Sequence, residues 1–357
     1  MFSDVYRGRR VLLTGHTGFK GSWLAMWLQA LGAEVTGVSL APQSSPSHWD
    51  LLRLDMRSHE TDIRDSAALR RIVMDTRPEV VFHLAAQALV RQSYRDPLQT
   101  WSTNVMGTAN LLDACRQVPC LRAILVVTTD KCYESQEWPW GYREIDRLGG
   151  HDPYSASKAG AELVAASYRS SFFGFADAPL LATARAGNVI GGGDWADDRL
   201  IPDLVRAIAA GKPLEIRSPD ATRPWQHVLE SLSGYLVLGQ RLLAGDAAMA
   251  GAWNFGPGAE ANQTVSSVLD RMAALWPALS WKSAATQQPH ETRQLYLDSA
   301  KARAHLGWGT VWTLDEALSA TTEWYRAQDV PAPRRSRAQL DLYVDAARAA
   351  GLEWART

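Results

Sequence analysis

The sequence predicts an α/β fold, a doubly wound parallel sheet of the Rossmann type joined to a second, smaller mixed α/β substrate domain. Three observations carry that expectation. Apolar runs of strand length alternate with helix-length amphipathic runs through the first half of the chain. The first run, Val11-Leu-Leu-Thr14, leads directly into glycines at Gly15, Gly18 and Gly21, and a helical pattern follows. Polar residues able to do chemistry stand just after the apolar runs, at the carboxyl ends of the strands, where such sheets bind ligands.

In order, Val11–Thr14 reads as a buried strand. Trp23, Leu24, Trp27, Leu28 and Leu31 fall at helical spacing and close on Gly32. Between them the glycines let a diphosphate approach the backbone, and the helix N-terminus offers free N–H groups and a positive dipole end. Ala33–Leu40 reads as a second strand, and residues 41–48 as a loop. Asp62–Asp65 caps a helix running to about Thr76. Pro78–Ala86 is a strand, Pro97–Gln117 a helix and Ala123–Thr129 another strand. Residues 132–153 are longer and more aromatic than a connection needs. Tyr154–Tyr168 is a helix and Leu180–Arg185 a strand. Beyond Gly187 the alternation breaks down: a flexible loop at Gly191–Trp195, a helix at Ile201–Ala210, a short strand at Pro213–Ile216 and a helix at Val228–Leu243. The expected division is a cofactor domain at 1–186 with a returning segment near 225–256, and a substrate domain at 187–224 and 257–330. The basic, alanine-rich stretch 331–357 is expected to be an exposed helical extension.

Composition narrows the function. A net charge of -1 gives no electrostatic reason to bind nucleic acid or an anionic membrane. No apolar run reaches a membrane span. The N-terminus lacks a signal-peptide pattern, and Cys115, Cys120 and Cys132 lack zinc spacing, which suits a reducing cytoplasm. His83 and His227 read as structural, and no metal is expected, because no ligand cluster accompanies them.

Tyr154 and Lys158 stand four residues apart, on one face of a helix. A phenol with a reference pKa near 10 is a poor base at neutral pH, and bringing it to about 7 takes about 4 kcal/mol. A nearby ammonium and a positive nicotinamide ring both favour the phenolate. Thr128-Thr-Asp-Lys131 follows an apolar strand and so falls at the same sheet edge as the glycine turn.

The glycine turn, His83-Leu-Ala-Ala86, Asn104 and the Tyr-x-x-x-Lys helix resemble the extended short-chain dehydrogenase/reductase family over nearly the whole chain. More narrowly, four blocks resemble the CDP-glucose 4,6-dehydratases: Thr14–Ser22, Thr129-Asp-Lys-Cys-Tyr133, Gly187–Trp195 and Arg223-Pro-Trp-Gln-His227. That group carries Asp-Lys where most sugar-nucleotide dehydratases carry Asp-Glu. The resemblance implies NAD held by Gly15, His16, Thr17, Gly18, Phe19, Lys20 and Gly21, with Asp62 and Ile63 at the adenine. It adds Leu84, Ala85, Ala86, Gln87, Asn104, Thr128, Tyr154 and Lys158 to the same site. It implies catalysis by Thr129, Asp130, Lys131, Tyr154 and Lys158, with Asp130 as acid and Lys131 as base or as a charged stabiliser of the enolate. Asn188, Arg199, Arg223 and Glu291, with Thr129, would hold the substrate, CDP-glucose. The product would be a 4-keto-6-deoxy sugar nucleotide for deoxysugar and lipopolysaccharide synthesis, with hydride lent to NAD and returned.

NAD is favoured over NADP although no acid stands near Ser39-Leu40 to hold the ribose. No arginine stands there for a 2′-phosphate, and Lys20 is the residue that keeps NADP open. A homodimer or dimer of dimers is expected through Leu98–Gln117 and Tyr154–Tyr168, with Ala159, Ala161, Ala165 and Ala166 allowing close packing. The competing readings are a nucleotide-sugar 4-epimerase, a 4,6-dehydratase of another nucleotide sugar, and a non-catalytic dinucleotide-binding regulator. An epimerase has no need of Asp130-Lys131, and a regulator has no need of Tyr154 and Lys158.

Overall fold

The strand register shows how the chain separates its apolar residues. In the computed structural model, which describes residues 1–175, 177–284 and 296–356, β1 is Arg10–Thr14. Val11 and Leu13 enter one core and Leu12 the other, because successive strand side chains point to opposite faces. β1 pairs with β2 (Glu34–Ser39) on one side and β4 (Val80–His83) on the other. β3 (Arg57–Glu60), β5 (Ala123–Val127) and β6 (Leu180–Ala186) extend the sheet, and the Ala252–Phe255 strand completes it. The spatial order is Ala252–Phe255, β6, β5, β4, β1, β2, β3, and every pairing is parallel.

Helices cover both faces. On one lie α1 (Phe19–Ala30) and Val228–Leu243, with Trp23, Trp27, Tyr235 and Trp253 in the core. On the other lie Ser66–Thr76, Gly107–Cys115 and Pro153–Ser171, burying Leu69, Ile72, Leu111 and Ala165. The doubly wound parallel sheet is therefore present.

Several local expectations are corrected. β3 escaped the sequence reading because Arg57-Ser-His-Glu60 has no apolar pattern and sits at the sheet edge, where burial imposes none. The Pro97–Gln117 run is two helices, Pro97–Trp101 and Gly107–Cys115, joined by a π-helical turn at Ser102–Met106. Gly191–Trp195 is a loop but a seated one. A Cβ on Gly192 would overlap the Trp324 ring, Trp23 Nε1 donates to the Gly192 carbonyl at 2.9 Å, and Tyr325 OH donates to the Asp194 carbonyl at 2.6 Å.

The C-terminal extension is helical over Ala332–Ala349, yet it is not simply exposed: Leu340, Tyr343, Val344 and Ala347 are buried on one stripe. Their spacing is the i, i+3, i+4, i+7 of an amphipathic helix. Ala159, Ala161 and Ala165 are buried within the protomer. Ala166 is exposed, and the large exposed apolar residues of those helices are Leu98, Trp101, Met106 and Leu163. Among the described residues no helix is long and apolar enough to cross a membrane, and no group of His, Cys, Asp and Glu is placed to hold a metal.

Candidate active site

The turn after β1 is shaped by what glycine omits. Gly15 has φ +77°, and a Cβ there would stand 2.6 Å from the Ala85 nitrogen. A Cβ on Gly21 would overlap the Gly15 carbonyl. Gly18 N-caps α1 without a side-chain acceptor, so the first N–H groups of the helix are left for a ligand. Leu84 N and Ala85 N bond back to the Thr14 carbonyl and hydroxyl at 3.1 Å. This cradle fits a dinucleotide diphosphate.

The side chains around it divide. Thr17 Oγ1 donates to the Leu40 carbonyl at 2.9 Å and lies 2.7 Å from Ser39 Oγ. His16 Nε2 lies 2.7 Å from Ser58 Oγ, with the Trp49 edge against its ring. Burial pulls the His16 pKa down to about 4, so the ring is neutral at pH 7. Phe19 packs beside Gly191. Lys20 turns toward the catalytic groups, donating to Tyr235 OH at 3.4 Å. Burial and then Arg199 lower its pKa to about 7, against the pull of Asp130. Asp62 holds the Arg64 guanidinium, and Ile63 is buried. Asn104 Oδ1 accepts from Gln87 N at 2.8 Å. Its Nδ2 donates to the Gln87 carbonyl at 3.0 Å and to Ser157 Oγ at 2.9 Å. Asn104 and Gln87 thus clamp the loop after β4 to the Tyr154 helix.

Pro153–Ser171 begins with an Asp152 cap and with proline in its first turn, so Tyr154 enters the crevice from a fixed helix end. Lys158 Nζ donates to the Val127 carbonyl at 3.2 Å, not to the phenol. Burial lowers the Lys158 pKa to about 8, and Glu162 works against that fall. The phenol was expected to be pulled down. Burial instead pushes Tyr154 up to about 12, against a hydrogen bond with Thr129, while Asp130 adds to the rise and Arg199 opposes it. The physical reason is dryness: the helix buries the phenol fully and spends the ammonium on a carbonyl.

Thr129 caps the short Asp130–Cys132 turn and donates to Asp130 Oδ1 at 2.8 Å. Asp130 Oδ2 is buried without a partner. Burial raises the Asp130 pKa, while Thr129, Lys131, Arg223 and Lys20 hold it back. An acid of that kind can keep its proton and donate it.

The model of the family described as GDP-mannose 4,6 dehydratase matches residues 12–321. The chain belongs to this family. A CDP-glucose 4,6-dehydratase of Salmonella typhimurium is 50% identical over 331 residues, 91% of this chain and 92% of that protein. The dTDP-glucose 4,6-dehydratase DesIV from Streptomyces venezuelae, solved with NAD and TYD bound, superposes with a TM-score of 0.74 at 25% identity. The match covers 89% of this chain and 97% of that one. The epimerase Mth375 from Methanothermobacter thermautotrophicus reaches a TM-score of 0.82 at 23% identity, covering 94% and 96%, and shows the shared fold alone.

Within this family member the structure groups Thr129, Asp130, Tyr154, Arg199, Lys20 and Lys158 in one electrostatic neighbourhood. Arg199 pairs with Asp194 at 3.1 Å, and buried Arg223 lies on the Thr222–Pro224 strand within charge reach of Asp130. Asn188 accepts Gln226 N through its backbone carbonyl at 3.2 Å. Thr128 is spent on Glu162. Glu291 and its neighbour His290 lie outside the described residues. Sequence reasoning missed Tyr235, Glu162 and Arg185. Two carried a signal: Glu162 continues the Tyr154, Lys158 spacing by four, and Arg185 interrupts an apolar strand.

Proposed function

We propose that this chain is a lyase converting CDP-D-glucose to CDP-4-dehydro-6-deoxy-D-glucose and water, in deoxysugar synthesis of the kind that supplies lipopolysaccharide. The observation that carries the reading is the Thr129-Asp130-Lys131 turn beside Tyr154 and Lys158, in a chain half identical to a curated CDP-glucose 4,6-dehydratase. NAD, held at the Gly15–Gly21 turn, would supply the hydride acceptor for sugar carbon 4 and the hydride donor for carbon 6. Tyr154 takes the 4-hydroxyl proton while Thr129 holds that oxygen. Thr129 and Arg199 oppose the burial that raises the phenol, and the positive nicotinamide ring would add to them. The 4-ketone acidifies carbon 5, and Lys131 removes that proton. Asp130 gives its proton to the 6-hydroxyl, which leaves as water. Arg199 and Arg223 hold the substrate diphosphate, because their forked donors suit it, and Asn188 and Glu291 line the same site.

NAD is preferred to NADP, because neither an acid for the ribose nor an arginine for a 2′-phosphate follows β2, where Thr17 bonds Ser39 and His16 bonds Ser58. Residues 1–186 with 225–256 serve the cofactor, and 187–224 with 257–330 serve the substrate. The protein works in the cytoplasm as a dimer through Leu98, Trp101, Met106 and Leu163, whose exposure on adjacent helices supports such a contact.

The test is incubation with CDP-, UDP-, dTDP- and GDP-glucose and added NAD. The expected result is a 4-keto-6-deoxy product from the CDP sugar without net reduction of the cofactor. Stoichiometric reduction with an oxidised sugar, or preference for another nucleotide, overturns the reading.

A further inference from the structure

Glu162 lies one helical turn beyond Lys158 and is 3% exposed, against 7% for Lys158 and 8% for Tyr154. An ionised carboxylate so deeply buried is tolerated only when paired and hydrogen-bonded. Glu162 meets that condition. Thr128 Oγ1 donates to Oε1, and Thr183 Oγ1 and Arg185 Nη2 donate to Oε2 at 2.7 and 2.8 Å. Burial opposes its charge, and Arg185 with the two threonines more than offsets this, holding the carboxyl below its usual range.

Arg185 does not stop there. Its Nη1 donates to Tyr133 OH at 2.7 Å and to the Glu144 carbonyl at 3.2 Å. Tyr133 OH in turn donates to Asn254 Oδ1 at 2.8 Å. Both ends of the network land beside the chemistry. Thr128 immediately precedes Thr129, and Tyr133 closes the turn that carries Asp130 and Lys131, its N–H reaching the Asp130 carbonyl at 3.4 Å.

We propose that Glu162 is a positioning residue of the reaction: it sustains the charge on Lys158 and, through Arg185 and Tyr133, holds the Asp130–Lys131 turn against the Tyr154 helix. A buried ion pair is by itself weak evidence of stabilisation, since packed apolar side chains do as well or better. What an apolar replacement does not supply is a negative charge one turn from Lys158. The inference rests on the reaction proposed above. The groups facing Lys158 are Glu162 on its own helix, Cys132 on the turn, Lys20 on α1 and His83 on β4. Glu162 is itself approached by Arg185, Arg169 and Cys132.

The test compares Glu162→Gln, Glu162→Asp and Tyr133→Phe with the native chain, using CDP-glucose and NAD. Gln keeps the shape and an acceptor for Thr128, removes the charge, and turns an amide donor toward Thr183 and Arg185 in place of the second oxygen. The expected result is an alkaline limb of kcat displaced toward lower pH. One unit of Lys158 proton affinity, lost from a native value of about 8, lowers kcat about twofold at pH 7 and about tenfold by pH 9. KM stays within about twofold, since ground-state binding is untouched. Glu162→Asp restores the limb. Tyr133→Phe leaves the limb in place and slows elimination relative to oxidation at carbon 4 in a single turnover.

A Glu162→Gln enzyme with the native pH profile overturns the proposal, whatever its melting temperature, because it shows a merely structural ion pair. Where Glu162→Gln does not fold, native elimination in Tyr133→Phe overturns it instead. Failure of the reaction itself is separable, since it is the native chain that then yields no 4-keto product.

Discussion

On the Pro153–Ser171 helix the buried polar groups have partners: Lys158 a carbonyl, Glu162 three donors, Ser157 both Asn104 and the Tyr154 carbonyl. The Asp130–Cys132 turn is built otherwise. One Asp130 oxygen is bonded by Thr129 and the other is buried with no partner. Such an orphan costs free energy in the resting protein. The contrast teaches which side is a fixed instrument and which has valence left over for a substrate. It also fits the order of the proposed chemistry, oxidation directed by the helix and elimination by the turn.

The strongest way to break the comparison is at the helix. Tyr154→Phe removes the group proposed to take the 4-hydroxyl proton. Activity should fall about a thousandfold or more, at the upper range for a general base. No reduced nicotinamide should appear on mixing with substrate. A variant that still oxidises carbon 4 would place the first step elsewhere.

Lys131→Ala sharpens the contrast from the other side. Oxidation should survive, and elimination should slow about a hundred- to ten-thousand-fold. The absorbance of reduced nicotinamide should then persist in a single turnover, and solvent deuterium should enter carbon 5 slowly. Dehydration at the native rate would remove Lys131 from the role of base. Absence of any reduced cofactor, with both ligands still bound, would move the lysine to the first step.

Buried histidines outside both elements carry a pH signature of their own. His48, His83 and His227 are buried, and burial holds each near a pKa of about 3. His83 Nδ1 lies 2.7 Å from Thr14 Oγ1, and His48 Nδ1 lies 2.8 Å from Ser22 Oγ. In the unfolded chain each takes a proton near pH 6.5. Below that pH the unfolded state binds more protons, so stability falls as pH drops toward the folded values. At pH 5 the loss is about 2 kcal/mol for each ring. Denaturant midpoints should fall from pH 8 to pH 5, and a flat profile would mean that these rings take protons in the fold as readily as in the unfolded chain.

How much of this was legible follows from where the information lies. Local patterns placed much of the first half: the glycine turn, the cap at Asp65, and the strands up to β6 other than β3 all rest on neighbours in sequence. Long-range partners decided what was missed. Nothing near Gly192 announces that Trp324 fills its empty side, so the loop read as flexible. Tyr235 gives no local sign that it meets Lys20. The inward alanines looked free because their partners are distant in sequence: Ala165 packs in the core beneath the sheet, and Ala159 against Cys132, Tyr133, Tyr142 and Leu297. Glu162 and the apolar stripe Leu340, Tyr343, Val344, Ala347 were different, since their spacing was on the page. The Tyr154 proton affinity was misjudged because the sequence shows a neighbouring ammonium but not how dry the pocket is.

The smallest expected effect is the one most particular to the turn. Asp130→Asn keeps the shape and the acceptor for Thr129 and removes a buried charge whose second oxygen is unpartnered. Burial raises the folded pKa of Asp130 above its unfolded value, against the pull of Thr129, Lys131, Arg223 and Lys20. A carboxyl raised in this way favours folding fully only below the unfolded pKa, and that contribution is lost as pH rises through the folded one. The asparagine variant should therefore match the native stability at low pH and exceed it as pH rises. The gain should plateau at about 1 kcal/mol, the lower range for an unsatisfied buried group, because Lys20 and Arg223 lose a counter-charge and the amide still lacks a partner. In melting temperature this is about 1 °C for a chain of this size. The same variant should oxidise carbon 4 and fail to protonate the leaving hydroxyl, so stability and dehydration move in opposite directions. Equal or lower stability at pH 8 would mean that the surrounding cations already satisfy the carboxylate, and the turn would then be as fully partnered as the helix.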